Sequence, residues 1–372
     1  MSADLTTKST DESGKGAAAP EDSSHTPLLK RMLRMQAFQI LLVLLVIIAV
    51  FSILAPNNFA NLGNARQIVQ NASILAILGV GMTFVIITSG IDLSIGSVMV
   101  FSGVIGAKVM LAVGGDGWST AALGIVTSVV TGMLWGLFNG ALISKAKIPP
   151  LIVTLGSLGM ALGLAHILTH GVDIRTVPQV MQDSIGYGNV FGQVPVLSLI
   201  ALVVVAIGVV LLHTTRFGRY TYAVGSNEES ARRVGVRVDA HLIKIYGISG
   251  LLAGLAGILS LAQFGTTAIA GQSQTNLNVI AAVVIGGTSL FGGYGTIFGT
   301  VVGLFIPAVL QNGFVIVGIQ PFWQQVAVGA VLILAVYVDQ VRRASAARGR
   351  SSNLFRSMFK KRSSQEGQGE TQ

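Results

Sequence analysis

The chain is a succession of apolar runs, each about long enough to cross a bilayer, joined by short polar turns, and from Ile245 to Val338 it holds no Asp, Glu, Lys or Arg. Hydrophobic residues make up 52% of the 372 positions and charged residues 10%, with a mean hydropathy of +0.72. That is more apolar surface than a water-soluble domain needs for one core. The sequence therefore reads as a polytopic membrane protein. Because every backbone polar group inside lipid has to be bonded internally, its spans are expected to be helices, giving an all-α fold.

Runs of roughly 20 apolar residues, the length that spans a hydrocarbon core with some tilt, fall near 36–55, 68–88, 94–113, 119–144, 150–168, 195–213, 242–262, 276–290, 296–317 and 322–338. About ten transmembrane helices are expected. The segment 276–290 is short, and the sequence leaves open whether it spans or re-enters. Residues 1–35 read as a disordered cytoplasmic N-terminal tail, since the first 27 are too polar to fold alone. The run from Ala37 to Ala55 is long enough for a first transmembrane helix rather than a cleaved signal peptide. Residues 36–340 form the membrane domain, and 341–372 a basic, largely disordered cytoplasmic C-terminal tail.

The net charge is +9, and its distribution orients the spans. Lys30, Arg31 and Arg34 precede the first run, Lys145 and Lys147 follow the fourth, and Arg216, Arg219, Arg232, Arg233 and Arg237 follow the sixth. With ten crossings and the N-terminus inside, these clusters and the basic C-tail all face the cytoplasm, as the positive-inside rule requires. A nucleic-acid partner is not expected, because no basic face interleaved with aromatics occurs. The absence of cysteine excludes disulfides, thiolate metal sites and cysteine nucleophiles.

The stretch "TSGIDLSIGS", residues 88–97, places Asp92 in one of the most apolar regions of the chain. A mid-bilayer carboxylate costs on the order of 3 kcal/mol, so it faces protein or water. Gly90 and Gly96 flank it, and Ser94 can donate a hydrogen bond. Asp92 is read as the cap of the third helix at a break near the cytoplasmic end, in preference to a substrate contact. An echo of this stretch begins at Val283 and aligns without gaps, pairing Gly90 with Gly287, Gly96 with Gly293 and Gly106 with Gly303. It suggests two Gly-rich helix breaks of the kind found beside transport paths, the second containing Gly286, Gly287, Gly292 and Gly293; chance similarity of Gly-rich helices is the alternative.

With no Asp, Glu, Lys or Arg between Ile245 and Val338, the chain is poorly suited to ion coupling. Its path has to be lined by amides, hydroxyls and aromatics, which suit a neutral hydroxylated solute; the candidates are Gln263, Asn276, Asn278, Asn312, Trp323 and Gln324. Glycines at four-residue spacing, Gly132, Gly136 and Gly140, then Gly250 and Gly254, read as helix packing seams. His166 and His170 are spaced i, i+4 with Asp173 nearby, but lack the glutamate of the zinc-protease motif, and no metal site is expected.

The soluble segment 214–241 is too long for a simple connection. Ser226 or Asn227 can cap a short helix through "EESARRVG", with Glu228 and Glu229 at its positive end, Arg232 and Arg233 toward its negative end and Gly235 stopping it. Such a helix on the cytoplasmic face suits docking onto a partner. No GxxxxGK[ST] phosphate loop occurs, so energy from ATP would have to come from another polypeptide.

The motifs "GMTFVIITSGIDLSIGSV", "RFGRYTYAVGSNEESARRVGV", "NVIAAVVIGGTSLFGGYGTIFGTVVG" and "PFWQQVAVGAVLILAV" resemble the membrane permease subunits of ribose-type ABC sugar importers, within the branched-chain-amino-acid/ribose permease family. The resemblance runs from about Phe38 to Val338. It implies a pair of permease chains, either two copies or a copy and a relative, in the cell membrane. It also implies two cytoplasmic ATPase subunits that carry the ATP and Mg, and an extracytoplasmic sugar-binding protein. The permease itself would be a transport subunit rather than an enzyme, with no cofactor of its own. Asn227, Glu228, Glu229, Ala231, Arg232 and Gly235 would belong to the coupling helix that enters a groove on the ATPase. A secondary carrier or facilitator for a neutral solute is the competing function.

Overall fold

The computed structural model describes residues 36–270, 275–320, 322–334, 336, 337 and 340, so both expected tails lie outside the described residues. The fold is helical. Helix α1 spans Gln36–Leu54, α2 Leu62–Ile87, α3 Ile95–Val113, α4 Trp118–Ser144, α5 Pro150–Thr169 and α6 Val196–His213. Two short helices follow, α7 over Arg216–Ser226 and α8 over Glu228–Arg233, and then α9 over Val238–Phe264, α10 over Thr275–Ile285 and α11 over Ile297–Val317. A last apolar helix, α12, covers Phe322–Leu334. Among the described residues seven helices are long and apolar enough to cross a membrane, and α1, α10 and α12 supply shorter apolar ones. Each of the ten expected runs thus contains a helix, with shifted ends.

Helices α2 and α9 pass through the middle of the bundle, where Phe84, Ile87, Tyr246 and Leu261 are buried. The outer helices turn their large apolar side chains outward: Leu123, Val130 and Leu134 on α4, and Leu202, Ile207 and Val210 on α6, are exposed. An apolar surface of that extent belongs against lipid.

The glycine seams pair with one another. A Cβ on Gly132 would lie 2.3 Å from the Gly250 carbonyl oxygen, and one on Gly136 only 2.1 Å from that of Tyr246. The backbones of α4 and α9 therefore touch, and Ser128 donates to the Gly254 carbonyl at 2.8 Å. Backbone proximity of this kind is how helices associate where lipid offers no hydrophobic incentive.

Helix α10 has 11 residues, about 16 Å at 1.5 Å per residue, roughly half of a hydrocarbon core. Its first turn lies beside the start of α3, since a Cβ on Gly96 would sit 3.0 Å from the Asn276 nitrogen. Its last turn reaches the end of the bundle that carries α7 and α8. The segment 276–290 is therefore a half-helix, ending at Ile285 rather than 290.

The gapless repeat does not survive in the fold. Seven residues separate α2 from α3, Thr88 to Ser94, whereas eleven, Gly286 to Thr296, separate α10 from α11. Gly96 accordingly lies inside α3, while its supposed partner Gly293 lies in the second break. The connection between α5 and α6 contains a π-helical turn, Gln182–Gly186, and a two-stranded hairpin pairing Asn189 with Pro195 and Val190 with Val194.

Candidate functional site

Two regions carry most of the polar chemistry, one at each end of the bundle. At the end bearing the basic loop, Asn227 caps α8 by accepting from the Ser230 N–H at 2.8 Å. Gly235, at φ +86°, reverses the chain after the helix, with the Gly235 N–H bonded to Arg232 O and the Val236 N–H to Ala231 O. Ala231 is buried against Val224 and Val238, which anchors the inner face of α8. Glu229 and Arg233 pair at i, i+4 on the outer face, both about three-quarters exposed. Arg232 bridges Asp239 and Glu228, and these two carboxylates, Asp239 foremost, raise its pKa above the ordinary guanidinium value. Asp239 also accepts from Lys147 at 2.8 Å, tying α9 to the α4–α5 connection.

Helix α7 is absent from the sequence reading, which placed only one short helix in this segment. Thr215 caps it, accepting from the Gly218 N–H at 3.3 Å. Gly218, Thr221, Val224 and Gly225 form its buried stripe; this i, i+3, i+4 periodicity was available in the sequence but was masked by glycine and aromatic residues. Through that stripe the loop rests on both helix breaks. Gly225 abuts the last residue of α2, where an added Cβ would meet Ile87 O at 1.7 Å. Ser89, left-handed at φ +62°, donates to Phe291 O at 3.0 Å and Gly225 O at 3.3 Å. The Gly293 N–H donates to Ile87 O at 2.8 Å, and Tyr222 donates to Gly295 O at 2.7 Å.

Asp92 lies inside the first break and is buried. Its Oδ1 accepts from the Ser94 N–H at 2.9 Å and the Ser94 hydroxyl at 2.6 Å, and Ser249 donates to Oδ2 at 3.4 Å. Asn139 on α4 donates to Ser94 Oγ at 2.9 Å. The cap position itself falls on Ser94, not Asp92, because α3 begins only at Ile95. The carboxylate instead orders the turn that leads into the helix. Gly90 sits against Tyr246, whose hydroxyl an added Cβ would meet at 2.6 Å. In the second break Gly286 and Gly287 follow α10, Gly286 packs on Gly299 of α11, and Gly292 crosses Ser89 so closely that a Cβ would lie 2.0 Å from its Oγ.

At the opposite end a cavity of about 1110 Å³ opens between α2, α9, α10, α12 and the hairpin connection. Of the six expected path residues, Gln263, Asn278 and Gln324 line it. The other three do not. Asn276 donates to Leu93 O at 3.0 Å and Asn312 to Asn64 Oδ1 at 2.8 Å, so both bridge helices, and Trp323 is exposed outside the lining. The lining also includes Arg66, Gln67, Gln70 and Asn71; the first two fall in the expected connection before the second apolar run and the other two inside that run, and none of the four is among the expected path residues, because the polar start of α2 looks like a connection. In the structure Asn61 caps α2 and accepts from the Asn64 N–H at 2.8 Å, and those four side chains share one helix face. Asp173 bonds to Thr267 and the Ile269 N–H, so it braces the rim of this end rather than joining His166 and His170.

A helical membrane bundle with two glycine-rich breaks, a soluble helix pair resting on both and a polar cavity at the far end is the architecture of a solute permease. Residues 64–336 match the family described as "Branched-chain amino acid transport system / permease component", and the chain belongs to that family. It is 37% identical over 295 residues to the ribose import permease protein of Escherichia coli K12, covering 78% of this chain and 90% of that one. It is 35% identical over 305 residues to the fructose import permease protein of Rhizobium meliloti, covering 80% and 83%. The D-allose transport system permease protein of Escherichia coli K12 is 35% identical over 293 residues, covering 78% and 87%.

Proposed function

We propose that this chain is the transmembrane permease subunit of an ATP-binding-cassette importer that carries a monosaccharide, a ribose-like pentose or a hexose, across the cytoplasmic membrane. Cytoplasmic ATPase subunits, which bind ATP and Mg, dock on α8 through Asn227, Glu228, Glu229 and Arg232. An extracytoplasmic sugar-binding protein delivers cargo to the cavity end, and a second permease copy or a related permease completes the pathway. Both termini are cytoplasmic, residues 36–340 form the permease domain, and 214–241 form its coupling loop.

The observation that carries this reading is the seating of α7 on both breaks at once, through Gly225 against Ile87 and Tyr222 against Gly295. A push on α8 from an ATPase passes through Ala231 and Val224 into α7, and from there to the ends of α2, α10 and α11. Small shifts at one interface become rearrangements of packed helices because close-packed contacts do not deform continuously. ATP-driven closure of the ATPases would thus open the far end to the binding protein, and hydrolysis would reset it.

The test is uptake of radiolabelled ribose, xylose, fructose and galactose by cells with and without the gene, under separate collapse of ATP and of the ion gradients. Loss of one sugar's uptake on ATP depletion alone is expected. Uptake that survives ATP depletion but fails with the gradient would establish a secondary carrier instead.

A further inference from the structure

We propose that the far-end cavity is a saccharide subsite belonging to the permease itself, in which Gln263 accepts a sugar hydroxyl and Arg66 donates to one. This deepens the importer reading and rests on it for the class of cargo. Gln263 is 9% exposed, and its Nε2 is committed to Asn71 Oδ1 at 2.8 Å. That bond fixes the amide and leaves Oε1 buried with no partner among the described residues. A buried amide oxygen left unpaired costs about 1–3 kcal/mol, which a hydroxyl donor from a ligand recovers.

Arg66 presents the complementary group. One of its terminal nitrogens donates to Gln193 Oε1 of the hairpin at 3.1 Å, which holds the guanidinium over the cavity. Its Nε is buried with no partner among the described residues, a donor where Gln263 offers an acceptor. Arg66 and Asn71, the residue that fixes Gln263, are about 7.5 Å apart along α2 at 1.5 Å per residue, comparable to the breadth of a hydroxylated ring. Among the described residues Arg66 is the one charged side chain lining the cavity, and no carboxylate lines it. The rings of Tyr187, Phe264 and Phe322 provide apolar faces for the C–H side of a sugar. A few convergent polar groups set among apolar and aromatic walls is the usual composition of a small-molecule site.

The sequence contains no cysteine, so Gln67→Cys places a single thiol on the cavity wall. In membrane vesicles carrying the full chain, its modification by a water-soluble thiol reagent is timed with D-ribose, D-fructose, D-allose or a sugar acid present, without ATP. At least one neutral sugar is expected to slow labelling, about threefold at twice its half-protecting concentration. Gln263→Leu and Arg66→Gln in that background should each remove the protection, read within each variant as the ratio of its labelling rates without and with sugar, so that a change in thiol reactivity caused by losing the neighbouring guanidinium cancels. If Gln263→Leu does not accumulate, Gln263→Asn withdraws the amide by one methylene and should raise the half-protecting concentration about tenfold, the equivalent of one hydrogen bond. Protection that persists in these variants, no protection by any sugar, or stronger protection by the sugar acid overturns the proposal. Uptake measured in parallel separates the two readings: ATP-dependent uptake without protection sinks the subsite alone, and protection without ATP-dependent uptake sinks the importer alone.

Discussion

Gly225→Ala is the sharpest perturbation of the link between the coupling loop and the helix breaks. Gly225 lies inside α7, where alanine is ordinarily favoured over glycine by about 1 kcal/mol. The added Cβ, however, would fall 1.7 Å from Ile87 O and 2.8 Å from the Gly293 nitrogen. Reaching an ordinary separation requires α7 to withdraw by roughly 1.5 Å, an overpacking cost of about 1–3 kcal/mol. The same withdrawal stretches the Ser89 bond to Gly225 O beyond bonding range from its present 3.3 Å, a loss of about 1 kcal/mol. After subtracting the helix-propensity gain, about 1–3 kcal/mol remains against the seated loop. Taken as a bias against the coupled arrangement, that is roughly a five- to hundredfold loss. The assay is initial uptake of the transported sugar, normalised to the amount of protein in the membrane, beside Gly156→Ala, a site where nothing lies within 4 Å of the new methyl. The expected result is normal accumulation with uptake severely reduced for Gly225→Ala and unchanged for Gly156→Ala. Wild-type uptake by Gly225→Ala would refute the argument that α7 acts through this contact.

Gly136→Leu should abolish accumulation of the folded chain, since even a methyl there meets Tyr246 O at 2.1 Å; membrane immunoblots and detergent extraction report it. Glu229→Arg should leave the chain inserted and abolish ATP-driven uptake, because Glu229 is exposed on the outer face of α8, where among the described residues its ion pair is with Arg233; normal uptake would remove it from the docking surface. Asp92→Ala leaves the Ser94 N–H and two serine hydroxyls without their acceptor and should destabilise by about 2–4 kcal/mol. Thermal stability should fall for every sugar's transport alike, and a loss confined to one sugar would reassign Asp92 to the cargo. Asn227→Ala removes the α8 cap and should weaken ATPase attachment by about fivefold, the equivalent of about 1 kcal/mol of helix stability, as measured by co-purification.

The apolar spans were legible because length and composition alone determine them. Their ends were not. Leu62 to Gln67 read as a connection, since a helix face turned toward a polar cavity carries the same residues as a loop. Asn227 and Gly235 were legible as a cap and a stop because each has a short-range cause, an amide accepting an N–H three residues on and a backbone with positive φ. Helix α7 was hidden by its own glycines, Gly218, which closes on Leu212 O, and Gly225, which closes on Ile87 O, a contact made 138 residues away in sequence. The register of the repeat failed because glycines align at many offsets, and four additional residues in the second break have no signature of their own. Asn276 and Asn312 show the limit for path residues: an amide bridging two helices and one facing a solute look identical in sequence.

The backbone seam between α4 and α9 constrains how this protein can move. Where Gly132, Gly136, Gly250 and Gly254 meet main chain to main chain, there are no interleaved side chains to change rotamer and let one helix slip along the other. The pair must travel as one stiff spine, so any opening and closing is left to parts fastened by single side-chain bonds, such as Arg66 on Gln193 and Gln70 on Gly186 O. The molecule is thereby divided into a frame and a latch, and rate-altering substitutions should concentrate in the latch.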